Sequence, residues 1–248
     1  MTKKLALITG STQGIGYEIA LFLANNDYRV IINGRQDVSV KNTCQRIGPE
    51  AIPLVLDILN YEEIKPAIQR LVSEHGQLDL VVSNIGSGRY SNDYKTTGID
   101  VYQECFDLNL FQCINLFQHA FQYLSPKASQ LIAISSIAGC EDIGAPIAYQ
   151  AAKAALLTYM KSLSRHCAKD QIRVNCISPG NVLIENGLWD RKLKENEQAI
   201  RSYIEKNVPL NTFVSGREIA ETVLFLEKNK SITGENIVVD GGQLHQFR

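Results

Sequence analysis

The chain has 248 residues, 45% of them apolar, and a formal net charge of −1. That length supports one large domain with a full core, and the near-neutral balance offers no electrostatic basis for binding nucleic acid or an anionic membrane surface. Residues 5–8 are too short an apolar run for a signal peptide or a membrane span, so the sequence reads as cytosolic.

Cys44, Cys105, Cys113, Cys140, Cys167 and Cys176 form no Cys-x-x-Cys pair. In a cytosol they are expected to be thiols and mostly small core residues. His75, His119, His166 and His245 show no metal-ligand spacing, so no metal site is expected.

In chain order, residues 5–8, 30–32, 52–56, 80–82, 131–134, 174–177 and 237–239 read as strands. They are near-continuously apolar, the pattern of parallel strands buried on both faces. Helix-period segments lie between them, at 14–25, 61–75, 102–124, 149–168 and 216–228. That alternation predicts a doubly wound α/β parallel sheet and a single domain over 1–248. Residues 181–212 break the pattern. They are charged, carry the only tryptophan, Trp189, and read as an irregular lid or substrate loop.

Three features suggest chemistry. The first is Thr9-Gly10-Ser11-Thr12-Gln13-Gly14-Ile15-Gly16, between the first strand and the first helix. Its glycine spacing, Gly-x-x-x-Gly-x-Gly, differs from the common Gly-x-Gly-x-x-Gly fingerprint. An ordinary tight turn is the plain alternative. The position between strand and helix instead suits a pyrophosphate resting on backbone N–H groups at a helix N-terminus.

The second is Tyr149-x-x-x-Lys153, which puts a phenol and an ammonium on one helix face, one turn apart. A nearby ammonium is expected to lower the phenol pKa and fit it for general acid or base work. Taken alone, such a pair is more often a solvated helix face. The third is Ser136, at a strand end thirteen residues before Tyr149, where a hydroxyl can meet a substrate oxygen.

Together these motifs resemble the short-chain dehydrogenase/reductase family. The resemblance extends to Leu56-Asp57-Ile58, Ser83-Asn84-Ile85-Gly86, Asn109, Ser178-Pro179-Gly180 and Val239-Asp240-Gly241-Gly242. It covers essentially the whole chain. It implies a Rossmann-type domain that moves hydride between NAD(P) and a carbonyl or alcohol. By that resemblance Tyr149 exchanges the proton and Ser136 holds the reacting oxygen. Lys153 tunes Tyr149 and holds the nicotinamide ribose, and Asn109 supports a water chain to Lys153. The implied cofactor wall is Gly10, Ser11, Gln13, Gly14, Ile15, Gly16, Arg35, Asp57, Ile58, Asn84, Gly86, Tyr149, Lys153, Pro179, Gly180 and Val182, with Asp57 at the adenine.

Three positions, in two motifs, depart from the family pattern. Ser83 and Ile85 replace an asparagine and an alanine. Ile184 stands where a threonine often touches the nicotinamide amide. After the second strand, Asn33-Gly34-Arg35 provides no carboxylate to repel a 2′-phosphate, and Arg35 can pair with one. NADP(H) is therefore favoured over NAD(H), although Gln13 is neutral where NADP-preferring relatives often carry a base. The plain alternative for Arg35 is a solvated loop residue.

Residues 86–90, 140–144 and 181–212 are expected to line the substrate side, with Arg89, Glu141 and Asn181 as polar contacts. They suggest a small polar, sugar-like substrate, and loop solvation is the alternative. A 3-oxoacyl thioester is the runner-up, and a non-catalytic dinucleotide-binding regulatory protein is the rival of another class. Phe106, Leu110, Cys113, Phe117 and Phe121, with Leu156, Tyr159, Leu163 and Cys167, suggest helices that pack on the sheet and pair in a homodimer or homotetramer.

Overall fold

A computed structural model describes residues 3–93, 95–126 and 129–245. The chain runs β1 (Lys4–Ile8), α1 (Gly14–Ala24), β2 (Tyr28–Gly34), α2 (Asp37–Ile47), β3 (Ala51–Val55), α3 (Tyr61–His75), β4 (Leu80–Ser83), α4 (Ile99–Phe106), α5 (Gln112–Ala120), β5 (Gln130–Ile134) and α6 (Ile147–Cys167). It continues through β6 (Arg173–Pro179), β7 (Val182–Leu183), α7 (Leu188–Glu195), α8 (Glu197–Asn207), β8 (Val214–Ser215), α9 (Gly216–Lys228) and β9 (Asn236–Val239).

Seven strands form one parallel sheet in the order β3-β2-β1-β4-β5-β6-β9. Along β1 the side chains alternate between two apolar layers, as a two-residue period requires. Leu5 and Leu7 join the layer of α3, α5 and α6. Ala6 and Ile8 join that of α1, α2 and α9. Residues of β5 and β6 are buried throughout, which explains why their runs are largely apolar. The edge strands differ: β3 alternates buried with exposed, and β9 is only partly covered.

Strand order reverses direction between β1 and β4, so the crevice at their carboxyl ends is the ligand position in a sheet of this kind. Thr9 closes that crevice from below. Its hydroxyl accepts the Asn84 N–H at 3.0 Å, and its carbonyl accepts from Asn84 Nδ2 at 3.0 Å.

Three sequence expectations need correction. A helix, α2, occupies 37–47, where none was expected. It buries only Val40 and Thr43, too few to print an apolar period. The helix expected over 102–124 is α4, a π-turn at Asp107–Phe111, α5 and a final 3-10 turn at Phe121–Tyr123. Asn109 Nδ2 donates to the Cys105 carbonyl at 2.9 Å. That carbonyl would otherwise take the Asn109 N–H in an α-turn, and the competition widens the turn. The 181–212 excursion is not irregular: it holds α7 and α8, and β7 before them pairs in parallel with β8 beyond them.

No helix among the described residues is long and apolar enough to cross a membrane. No group of three or more His, Cys, Asp or Glu among them is placed to hold a metal.

Candidate active site

The turn from β1 to α1 is set by backbone shape. Gly10 and Gly14 have φ of +60° and +64°, a region that disfavours any side chain. Asn33, 1% exposed at the end of β2, ties the turn down. Its Oδ1 accepts the Gly10 N–H at 3.2 Å, and its Nδ2 donates to the Leu56 carbonyl at 3.0 Å. Ser11 turns inward, where its hydroxyl donates to the Ile8 carbonyl at 2.8 Å and accepts the Asn33 N–H at 2.9 Å. Its side chain braces the turn from beneath.

A cleft of about 640 Å³ opens at this point. Its wall includes the expected Gly10, Gln13, Gly14, Ile15, Arg35, Asp57, Ile58, Asn84 and Gly86, together with Arg89 and Leu188. Thr12, which sequence reasoning passed over, lines it as well. Ser11, Gly16, Tyr149, Lys153, Pro179, Gly180 and Val182, expected there too, do not. A neighbouring hollow of about 600 Å³ is bounded by Thr12, Gln13, Arg35, Gln36 and Ser39. A larger hollow of about 1020 Å³ lies between α6 and β9 and contains none of Asn109, Ser136, Tyr149 and Lys153.

Those four residues come from three elements. Asn109 sits on the π-turn and is fully buried. Its Oδ1 accepts the Ser87 N–H at 3.0 Å. Ser136 follows β5, and its Oγ accepts the Ala138 N–H at 3.1 Å. Tyr149 and Lys153 share one face of α6. Lys153 is 3% exposed, and its Nζ donates to the Ile134 carbonyl at 3.1 Å and stands 5.8 Å from the Tyr149 ring centroid. Gly86 holds the pieces together. A Cβ there would meet Asn109 Oδ1 at 2.8 Å and Lys153 Nζ at 3.0 Å, so a larger residue would displace both side chains where the post-β4 loop crosses between them. Gly88 lies over the Tyr149 ring, and a Cβ there would reach the ring edge at 3.4 Å.

The electrostatics correct one expectation. Burial raises the Tyr149 phenol above its ordinary pKa, and the hydrogen bond with Ser136 only partly opposes it. Burial also pushes the Lys153 ammonium down to about 8. Desolvation therefore outweighs the pull of the ammonium on the phenol.

On the substrate side, Asn181 is 6% exposed, and its Nδ2 donates to Gln243 Oε1 at 2.8 Å. It is a structural amide rather than a wall contact. Glu141 Oε1 lies 2.7 Å from His245 Nδ1. Asn92 Nδ2 donates to the Gly144 carbonyl at 3.4 Å and links the two substrate-side loops. Cys113, Phe117, Leu156 and Cys167 are buried in the sheet-facing core, so the apolar stripes of those helices pack inward.

Residues 10–243 match the family model described as enoyl-(acyl carrier protein) reductase. Tropinone reductase-like 3 of Erythroxylum coca is 32% identical, over 96% of this chain and 92% of that protein. A 3-oxoacyl-[acyl-carrier-protein] reductase of Chlamydia muridarum is 30% identical over 98% of each chain. L-sorbose reductase from Gluconobacter frateurii, solved with NADPH and L-sorbose, superposes with a TM-score of 0.90 at 25% identity, covering 99% of this chain and 98% of that one. The chain belongs to the short-chain dehydrogenase/reductase family and is an oxidoreductase.

Proposed function

We propose that the enzyme uses NADPH to reduce a ketone on a small polar substrate to a secondary alcohol, with Tyr149 donating the proton. The observation that carries this reading is the placement of Tyr149 and Lys153 on one face of α6, with Lys153 Nζ 5.8 Å from the Tyr149 ring centroid and the Ser136 hydroxyl beside the phenol. A neutral phenol is the form that gives a proton to an oxygen gaining charge. Lys153, buried and with its pKa near 8, can pass a proton to Tyr149 close to neutral pH.

The cleft suits a dinucleotide. The N-terminus of α1 has no side-chain cap and no acidic residue in its first turn, so its N–H groups and dipole are available to a pyrophosphate. Gly14, at positive φ, faces open space. Gly10, Gln13, Gly14 and Ile15 would hold the phosphates, and Asp57 and Ile58 the adenine end. Ser11 and Gly16 would act from behind the turn. Asn84, Gly86, Tyr149 and Lys153 would hold the nicotinamide ribose end, with Pro179, Gly180 and Val182 beyond it. Arg35, exposed beside Thr12, Gln13 and Ser39, supports NADPH over NADH through its charge and two-pronged geometry.

NADPH, when bound, would supply a hydride for the carbonyl carbon. Ser136 would hold the carbonyl oxygen and Tyr149 would protonate it; Lys153 would return a proton to the phenolate, drawing on solvent through a water chain that Asn109 supports. Arg89 in the cleft wall supports a hydroxylated substrate, as does the likeness to L-sorbose reductase.

A second reading, reduction of a 3-oxoacyl thioester, is favoured by the relatives of that name and by the exposed Leu183, Leu188 and Leu210. Exposed Phe111 and Ile147 support self-association as a homodimer or homotetramer.

The deciding experiment titrates the protein with NADPH and with NADH, then follows NADPH consumption with a panel of ketoses and 3-oxoacyl thioesters. Tighter NADPH binding with ketose turnover supports the proposal. Thioester turnover alone moves the assignment to the second reading, and binding of neither nucleotide overturns both.

A further inference from the structure

The segment after β9 does something the tetrad does not require. Gln243 is 5% exposed, yet it carries an amide where an apolar side chain would fill the same space. Its Oε1 accepts from Asn181 Nδ2 at 2.8 Å, and its Nε2 donates to the Tyr203 hydroxyl at 3.2 Å. The backbone around it is fixed as well. The N–H groups of Gly242 and Leu244 each donate to the Asp240 carboxylate at 2.8 Å.

The two partners of Gln243 belong to different parts of the molecule. Asn181 follows Gly180, beside the nicotinamide end of the cleft, and its carbonyl accepts the Val214 N–H at 3.0 Å, which seats β7 on β8. Tyr203 belongs to α8. Its ring stacks on Trp189 of α7, with centroids 5.3 Å apart and planes 22° apart. The preceding residue, Leu188, lines the cleft. One amide thus joins the nicotinamide flank to the helical pair that covers the substrate side.

We propose that Gln243 is a positioning residue that couples the α7–α8 cover to the nicotinamide end of the cofactor site, so that order imposed at residues 179–182 is passed to Trp189 and Leu188. This inference rests on the cofactor reading above. A buried amide left without partners costs more than a missing contact. If α8 drew away from β6, Gln243 could stay with only one of its two partners, and the other end of the buried amide would be left unpaired. The cover and the flank therefore favour moving as one body.

The chain's only tryptophan, Trp189, makes this measurable. Its ring is packed between Tyr203 and Phe213, and the Lys192 ammonium stands 4.6 Å from its centroid, so its emission senses the seating of α7 on α8. The probe is NADP⁺, which does not absorb in the emission band. Binding is measured by calorimetry, and emission and acrylamide quenching are recorded with and without NADP⁺. Four proteins are compared: wild type, Gln243→Leu, Tyr203→Phe and the double variant. Tyr203→Phe keeps the ring stack and loses only the hydroxyl.

In the wild type, NADP⁺ is expected to shift the emission and reduce quenching. In each variant NADP⁺ still binds, but the shift is lost. The double variant is expected to be no worse than Gln243→Leu, because both changes cut one connection. A purely structural role would lower stability and leave the NADP⁺-induced shift intact. A full shift in either variant, or no shift in a wild type that binds NADP⁺, overturns the coupling. A wild type that binds no NADP⁺ overturns the cofactor reading itself.

Discussion

Gln112, on the first turn of α5, reaches back to donate from Nε2 to the Ile85 carbonyl at 3.1 Å. The same amide meets the Ser83 hydroxyl at 3.2 Å. It is 1% exposed. Ser83 is the position where the family pattern has an asparagine, and Gln112 supplies from another element the amide that Ser83 lacks. The turn after β4 is thereby fixed against the π-turn that carries Asn109. Gln112→Leu leaves a buried carbonyl and hydroxyl unpaired and is expected to lower stability by about 1–3 kcal/mol. Ser83→Ala should add little in that background. Urea unfolding of the four proteins in a double-mutant cycle checks this, and strict additivity would show that the two residues act separately.

Tyr149→Phe removes only the hydroxyl. The ring keeps its place beneath Gly88 and near Lys153, so the cleft keeps its shape. Turnover is expected to fall by roughly a hundredfold to ten-thousandfold, the usual worth of a positioned proton donor. NADPH affinity should fall far less, by about tenfold at most, the worth of one hydrogen bond to the ribose. Steady-state rates paired with a nucleotide titration separate the two, and wild-type turnover in the variant would remove Tyr149 from the mechanism.

Much of the sheet was legible because its central strands are buried on both faces and so print as near-continuous apolar runs. The glycine turn, Tyr149, Lys153 and Ser136 were legible because each sits at a fixed offset from a strand or helix end. What escaped the sequence has a common cause. Helix α7 buries no residue, and α8 buries only Ile204, so neither carries an apolar period. Their order comes from contacts distant in sequence: Trp189 on Tyr203, and Tyr203 on Gln243. Asn33, Gln112 and Gln243 were invisible for the same reason, since a lone amide signals nothing until its partners are known. Only the departure at Ser83 hinted that a compensating group existed.

Arg35 is exposed and forms no ion pair among the described residues. It stands beside Thr12, Gln13 and Ser39 at the rim of the cleft. Arg35→Ala is expected to weaken NADPH binding about tenfold to a hundredfold, the worth of a charge-assisted pair, and to leave NADH binding within about twofold, since NADH offers no phosphate there. Titration of both nucleotides against both proteins decides the matter. Equal losses for the two would assign Arg35 to shape rather than to phosphate recognition.

Arg173, at the start of β6, is 6% exposed and donates to the carbonyls of Leu226, Glu227 and Asn229 at the end of α9. A cation there satisfies orphan carbonyls and complements the helix dipole. Arg173→Met is expected to cost about 2–4 kcal/mol in urea unfolding, without altering nucleotide affinity in the folded protein. A change in affinity would show that this end of the sheet communicates with the cleft.

The buried ammonium of Lys153 links stability to pH in a direction that can be worked out. Burial lowers its pKa from 10.5 to about 8 in the folded protein. Below about 8 the residue is charged in both folded and unfolded chains, and the folded state bears the full cost of hiding the charge. Between about 8 and 10.5 the unfolded chain holds the proton and the folded chain does not, so stability rises with pH across that window. Lys153→Met carries no such charge. The stability of the wild type relative to Lys153→Met should therefore improve as pH rises from 8 towards 10.5, by up to about 3 kcal/mol. Other titrating groups largely cancel in the difference. Urea unfolding of the two proteins at pH values on either side of 8 measures it. A difference that stays constant, or that falls with pH, would show that Lys153 keeps its charge at little cost, and the proton reservoir assigned to it near neutral pH would be lost with it.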